Sequence, residues 1–360
     1  MPQPILYVAI TNHGFGHATR TASVVAEIQR QCPDLVTILV TTAPRWLLES
    51  YLPKDFIHRP RGFDVGIIQS DSVTMDKAAT LDKLKHIQAR ADQIVAGEAS
   101  FMQQNRVGLV LADIPPLATR IAHAAGIPCW MMSNFGWDFI YRDWGGPFVE
   151  AADWISGCFQ ECDRLFRLPF HEPMSAFPVV EDTGLTGGSP SFEEAELRQR
   201  FQITAPSERL ALVTFGGLGL SQVPYAGLAA FPDWQFLTYD PKAPDLPNLI
   251  KITDNRYRPV DFMPWCGRVI SKPGYSTFSE ACRMGTPIIS ITRDDFAEAA
   301  VLLDGIRRVA HHRILSPEEL LRGDWAFLTA PLHPPERPGT VAANGNEAIA
   351  RAVIDYFSTR

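Results

Sequence analysis

The sequence has no apolar run near the ~18 residues of a membrane span. No transmembrane segment is therefore expected, and any membrane contact would be peripheral. Nor does it show a basic leader, an apolar core and a small-residue cleavage site in series, so no signal peptide is expected and a cytoplasmic location is. Positive charge is scarce, with 33 Lys and Arg against 40 Asp and Glu and a net charge of −7, which argues against a nucleic-acid partner held by bulk electrostatics. The six cysteines, Cys32, Cys129, Cys158, Cys162, Cys266 and Cys282, are scattered, and Cys158 and Cys162 stand too far apart for a C-x-x-C pair. Disulfide, metal and redox chemistry are not expected. Two nucleotide motifs are also missing. After Gly14 and Gly16 a G-x-G-x-x-G reading needs glycine or alanine where Thr19 stands, and no G-K-[ST] follows either. Hydride transfer and ATP hydrolysis both lose support.

What remains is a chain of 360 residues, 46% hydrophobic and 20% charged, the composition and length of two ordinary globular domains. Residues 4–11 read as a buried strand, followed at once by the loop Asn12-His13-Gly14-Phe15-Gly16-His17 and a helix from about Ala18 to Gln31. Strands at 36–42, 64–69, 107–112 and 128–132 alternate with helices near 43–51, 77–104 and 117–125. Composition shifts near Arg167–Pro190, rich in proline and glycine, and the alternation restarts with a strand at 210–215 and the loop Gly216-Gly217-Leu218-Gly219. Further strands are expected at 234–239, 250–252, 268–271 and 287–291. The expected architecture is α/β: two Rossmann-like, doubly wound parallel sheets facing across a cleft. The first domain is placed at 1–170, a linker at 171–190 and the second domain at 191–346; a final helix, 347–360, is free to pack back on the first.

Candidate chemistry gathers at the loops after strands. His17 opens a helix, where the dipole favours a neutral imidazole able to accept a proton. Asp113 ends a strand of the same sheet and could orient that imidazole; Asp138 is the reserve base. Gly16, Asn134, Trp137 and Tyr141 are candidates for contact with an acceptor, the aromatics by stacking and Asn134 by hydrogen bonding. In the second half, Gly216, Gly217, Gly219 and Ser221 allow close backbone approach to a diphosphate. Gly274, Tyr275, Ser276 and Thr277 stand where a helix should begin, and its exposed amides favour an anion. Glu280 lies one turn further on, suited to a ribose diol, and Asp294 and Glu298 follow a strand, suited to sugar hydroxyls. Arg268 and Lys272 could neutralise a leaving diphosphate.

Laid out in this order, the chain resembles the two-domain GT-B glycosyltransferases, and its second half is similar to the lipid-linked N-acetylglucosaminyltransferase of peptidoglycan synthesis. A nearer resemblance is to the glycosyltransferase-like region that precedes the kinase domain of L-arabinokinases, carried by GFGHATR (14–20), SNFGWDFIY (133–141), RLP (167–169), FGG (215–217), KPGYSTFSEA (272–281) and NGNE (344–347). The resemblance implies a glycosyltransferase taking sugar from a nucleotide-diphosphate sugar, with a uridine-linked donor, to a sugar, lipid or small-molecule acceptor. It implies a histidine at the first glycine loop (His17), a ribose-binding glutamate (Glu280) and sugar-binding residues after the next strand (Asp294, Glu298). The nucleotide sugar would be substrate, with no cofactor and no metal, and the expected outcome is inversion. Lys272 stands where the peptidoglycan enzyme has arginine, and acids stand where it has glutamines. A nucleotide-sugar epimerase and a binding module without turnover are the other readings.

Overall fold

The computed structural model describes residues 3–69, 74–216, 220 and 223–359. They divide into two compact units, the first comprising residues up to 69, 75–187 and 342 onward, the second chiefly 188–341. The first unit runs β1 (Ile5–Ile10), α1 (Gly16–Gln31), β2 (Val36–Val40), α2 (Arg45–Glu49), β3 (Ile57–Arg59), α3 (Lys77–Ala89) and α4 (Ala91–Gln104). It continues through β4 (Leu109–Asp113), α5 (Leu117–Ala125), β5 (Cys129–Ser133), α6 (Trp137–Trp144), α7 (Phe148–Phe159), β6 (Arg164–Arg167) and β7 (Val180–Asp182). Its strands form one sheet in the order β3-β2-β1-β4-β5-β6-β7, paired in parallel throughout. The central strands are continuous apolar runs because helices cover both faces of the sheet.

The second unit contains α8 (Glu194–Phe201), β8 (Leu210–Thr214), β9 (Gln235–Thr238), β10 (Leu249–Lys251), α9 (Pro259–Phe262) and β11 (Arg268–Ser271). It ends with α10 (Tyr275–Met284), β12 (Ile288–Ile291), α11 (Ala297–Val309), β13 (His312–Leu315) and α12 (Pro317–Leu321). Its sheet has the order β10-β9-β8-β11-β12-β13, again parallel. The final helix, α13 (Gly345–Ser358), packs on α1 of the first unit. There the Tyr356 hydroxyl donates to the Gly108 carbonyl at 2.8 Å, and a side chain at Gly108 would strike the Phe357 ring. The first unit closes at Gly187, whose backbone N–H and C=O are both bonded by the Asn346 amide. In the second, Gly188 donates to Glu280 and accepts from Arg283.

Each sheet starts at an inner strand, third from one edge, winds to that edge, then crosses back and winds to the other. A crevice therefore opens at the carboxyl ends of β1 and β4 in one unit, and of β8 and β11 in the other, where the winding reverses. These two points hold the candidate chemistry.

Several local expectations are corrected. Residues 64–69 are not a strand: Ile67 N–H goes to His13 Nδ1 and Ile68 N–H to Thr80 Oγ1, and the pairing is limited to an isolated antiparallel bridge between Gln69 and Met75. The helix expected over 77–104 is two helices, broken at Arg90, whose N–H reaches only to Ile87 C=O. Four short strands were not anticipated: β3, β6, β7 and β13 are three or four residues long, mixed in polarity, and lie at or beside sheet edges. One of them, β7, falls inside the stretch expected to be linker.

Packing is closest in the second unit at Gly227, on the turn Tyr225–Ala230, where an added Cβ would lie 1.8 Å from the Gly323 carbonyl oxygen and 2.7 Å from Trp325 Cδ1. Gly227→Ala should destabilise the protein by about 1–3 kcal/mol, read as a lower urea midpoint; an unchanged midpoint would show that this contact has room to relax.

Candidate functional site

In the first unit the site is built by the first turn of α1. That helix starts without a side-chain cap, after Gly14 in the left-handed region at φ 61°. His17, Arg20 and Thr21 stand at positions i, i+3 and i+4, hence on one face, and all three reach the same carboxylate. Asp113, the last residue of β4 and wholly buried, pairs in register with Ile10 of β1. Its Oδ1 lies 2.8 Å from His17 Nδ1 and 2.5 Å from Arg20 Nη2; its Oδ2 accepts from Arg20 Nε at 2.6 Å and Thr21 Oγ1 at 2.9 Å. Arg20 also donates to Asn134 Oδ1 at 2.7 Å and Ser133 Oγ at 3.1 Å, at the end of β5. Burial works against a charged Asp113, but the Arg20 guanidinium, and then His17, more than offset it and hold the carboxyl well below the usual carboxylate range.

Arg20 Nη2 also lies 2.9 Å from His17 Nδ1. When Nδ1 carries the ring proton it donates to Asp113 Oδ1, and the Nε2 lone pair is open for chemistry. Phe135 and Trp137 wall the ring, with centroids 5.8 and 6.1 Å away.

A second layer packs on the glycine loop. Asn12 accepts from the Thr42 N–H and hydroxyl, and gives its own N–H to Asp64 Oδ1 at 3.1 Å. His13 Nδ1 accepts from Ile67 N–H at 3.2 Å, which places the His13 proton on Nε2. Gly62 and Gly66 permit this approach, since side chains there would meet Asn12 and His13. Asp64 is half-buried as a residue, but its Oδ2 is enclosed without a hydrogen-bond partner. Burial pushes its carboxyl up to about 7, against the opposing effect of Asn12.

The expected acceptor contacts do not survive. Trp137 and Tyr141 are each 1% exposed, because α6 turns Trp137, Ile140 and Tyr141 into the core. Trp137 donates to Thr11 Oγ1 at 3.0 Å and Tyr141 to the Gly66 carbonyl. Neither has a face for a ligand. Asn134 is buried and accepts from Arg20, whereas Gly16 is exposed at the start of α1. Asp138 belongs to another group: its Oδ2 accepts from Ser156 at 3.0 Å, and burial raises its carboxyl and that of neighbouring Glu172. Glu172 in turn accepts from the Gly136 and Met174 amides. Arg20 and Ser133 were missed; the three-residue step from His17 to Arg20 was the available signal.

In the second unit, Gly216 follows β8 in the left-handed region at φ 77° and lies against Lys272, which follows the adjacent β11. Gly274 is the N-cap of α10 and supplies no side-chain cap, so Tyr275, Ser276 and Thr277 form the helix's first turn with their amides directed to its N-terminal end. Gly217, Gly219 and Ser221 lie outside the described residues. Arg268 is corrected: it opens β11, at the far end of the strand from Lys272, bonded to the Leu328 carbonyl and stacked 4.6 Å over Trp234. Glu280 is also corrected. Only 3% exposed, it accepts from Gly188 N–H at 2.9 Å, and burial pushes its carboxyl up to about 7; a ribose diol has no access to it as placed. After β12, Asp294 is exposed while Glu298 and Arg293 are buried, Arg293 lying 4.2 Å over the Phe296 ring. Among the described residues no three His, Cys, Asp or Glu side chains converge as a metal-holding group. No described helix is long and apolar enough to cross a membrane.

No protein-family model matches the chain. It is 30% identical over 329 residues to an L-arabinokinase of Arabidopsis thaliana, covering 88% of this chain. The chain spans about a third of that curated relative's length, 31%. Among solved structures it is similar to the calicheamicin glycosyltransferase CalG4, with a TM-score of 0.64, 16% identity and 99% of both chains covered. It is also similar to UGT2 of Phytolacca americana, solved with UDP-2-fluoro-glucose and pterostilbene (TM-score 0.59, 15% identity, 99% of this chain and 94% of that one). A UDP-glucose:anthocyanidin 3-O-glucosyltransferase in complex with UDP matches at a TM-score of 0.61 and 12% identity, over 98% of this chain and 94% of that one. The fold is therefore the GT-B glycosyltransferase fold, as the resemblance implied.

The enclosed Asp64 carboxyl sets a pH dependence. Unfolded aspartate titrates near ~3.9 and Asp64 in the folded chain at about 7, so between these values the folded state holds the extra proton. Its contribution to stability is complete below the lower value and is lost as pH rises through the upper one. Melting temperature should fall between pH 4 and 7, and Asp64→Asn should reduce that fall, leaving the part due to Glu280, Asp138 and Glu172, whose carboxyls burial also raises. Identical pH slopes in the two proteins would rule this out.

Proposed function

We propose that the chain is a glycosyltransferase that moves a sugar from a uridine-linked nucleotide-diphosphate sugar to an acceptor hydroxyl, with inversion and without a metal ion. The observation that carries the reading is the histidine at the β1/β4 switch point, whose Nδ1 lies 2.8 Å from the buried Asp113 carboxylate; with the ring proton on Nδ1, Nε2 is free to accept one. The acceptor oxygen attacks the anomeric carbon as its proton passes to His17 Nε2, and the bond from that carbon to the diphosphate oxygen breaks with its electron pair leaving on phosphate. Asp113 stabilises the imidazolium that forms. Charge developing on the departing diphosphate would be met by the first-turn amides of α10 and by Lys272 beside Gly216. The solved relatives bound to UDP or a UDP sugar support this choice of donor.

Buried Arg293 and Glu298 after β12 favour, as a second reading, a nucleotide-sugar epimerase, which would convert donor with no acceptor present.

His17→Ala should lower kcat by roughly 10²–10⁴-fold while UDP still raises the melting temperature, because the nucleotide is held by the other unit. Asp138→Ala, whose carboxylate faces Ser156 and Glu172, should keep most activity. Sugar transfer measured across an acceptor panel decides: activity lost with Asp138→Ala but retained with His17→Ala would overturn the assignment of the base.

A further inference from the structure

We infer that Arg20 is a positioning residue for the base: its charge satisfies Asp113 so that His17 need not, which leaves the Nε2 lone pair of His17 available. The inference rests on the glycosyltransferase reading only for its kinetic consequence.

The case is one of charge balance in a closed space. Asp113 is fully buried, Arg20 is 2% exposed and His17 6%. A carboxylate so enclosed requires a cation beside it. Two are in reach, a guanidinium that cannot lose its proton and an imidazole that can gain one. Arg20 supplies the charge through both oxygens, from Nε at 2.6 Å and Nη2 at 2.5 Å. Its contacts to Ser133 and Asn134 hold the guanidinium plane against the end of β5. With the fork in place the carboxylate needs from His17 only the Nδ1 proton. Without it, the same carboxylate would draw a second proton onto the ring, and that proton can only sit on Nε2, the atom that must accept the acceptor's proton. Asn134 and Ser133 act through Arg20 in the same sense. Asn12, His13, Asp64 and Thr21 are further polar side chains around this turn: Thr21 donates to Asp113 Oδ2, His13 Nδ1 accepts from Ile67 N–H, and Asn12 donates to Asp64.

The test reads the ring nitrogens directly. In protein labelled with ¹⁵N-histidine, with the His17 signals assigned by their loss in His17→Gln, the wild type should show a protonated Nδ1 and an unprotonated Nε2 at neutral pH. Arg20→Gln should show both nitrogens protonated, and Arg20→Lys, which restores the charge, should return the unprotonated Nε2. In turnover, Arg20→Gln should lower kcat by about 10²-fold with KM little changed, and Arg20→Lys should recover part of the loss. If Arg20→Gln does not fold, the double variant Arg20→Gln/Asp113→Asn removes both buried charges. It should fold and show His17 neutral, with one ring nitrogen unprotonated. The inference is overturned if wild-type Nε2 is protonated, if the wild-type nitrogen pattern persists in Arg20→Gln, or if both His17 nitrogens are protonated in the double variant. Should the wild type transfer no sugar from any nucleotide sugar, the functional reading fails while the nitrogen spectra still decide the role of Arg20.

Discussion

The Arg20–Asp113 ion pair is the constraint on which the first unit turns. A carboxylate at the end of a central strand has lost its water on every side, and breaking a pair of this kind by removing one partner typically costs about 3–5 kcal/mol. The requirement reaches outward. It sets the rotation of α1, because His17, Arg20 and Thr21 must all face β4. It draws Ser133 and Asn134 inward from the end of β5. Those residues precede the aromatic turn into α6, so Phe135 and Trp137 become walls around the histidine. The packing that encloses His17 and the hydrogen bonding that orients it are one network.

The two units share a winding order and differ in what they place at the reversal. In the first, ionised side chains converge at β1 and β4 and are buried almost completely. In the second, β8 and β11 end in Gly216, Lys272 and an uncapped helix start. The difference suits different tasks. Moving a proton needs one atom held in one protonation state, which calls for enclosed side chains. Holding a diphosphate needs several weak donors around a large diffuse charge, which main-chain amides provide without side-chain entropy.

Much of the scaffold was legible. Residues 5–10, 36–40, 109–113 and 210–214 are apolar, β-branched runs followed by glycine or polar turns, and parallel strands covered on both faces produce that pattern. The edge strands β3, β7 and β13 were hidden because half-exposed strands of three or four residues carry charges and no periodic signal. His17 and Asp113 could be singled out from their places after and at the end of strands. Trp137 and Tyr141 could not be placed, since an aromatic helix face reads the same whether it meets a ligand or the core. Arg268 and Lys272 are four residues apart in sequence yet lie at opposite ends of one strand, so only one of them adjoins the phosphate-type loop.

By itself the sequence determined the alternation of strands and helices, the two glycine loops and the absence of a dinucleotide or P-loop motif, all of which depend on neighbours within one or two turns. Only the tertiary structure decided that Arg20 shares Asp113 with His17, that Glu280 is spent on Gly188, and that Asp64 is enclosed. Those outcomes depend on which loops meet at a sheet's reversal point and on how completely water is expelled there. Solvation is a property of the packed molecule, so the protonation states on which the chemistry rests are settled only when the chain has folded.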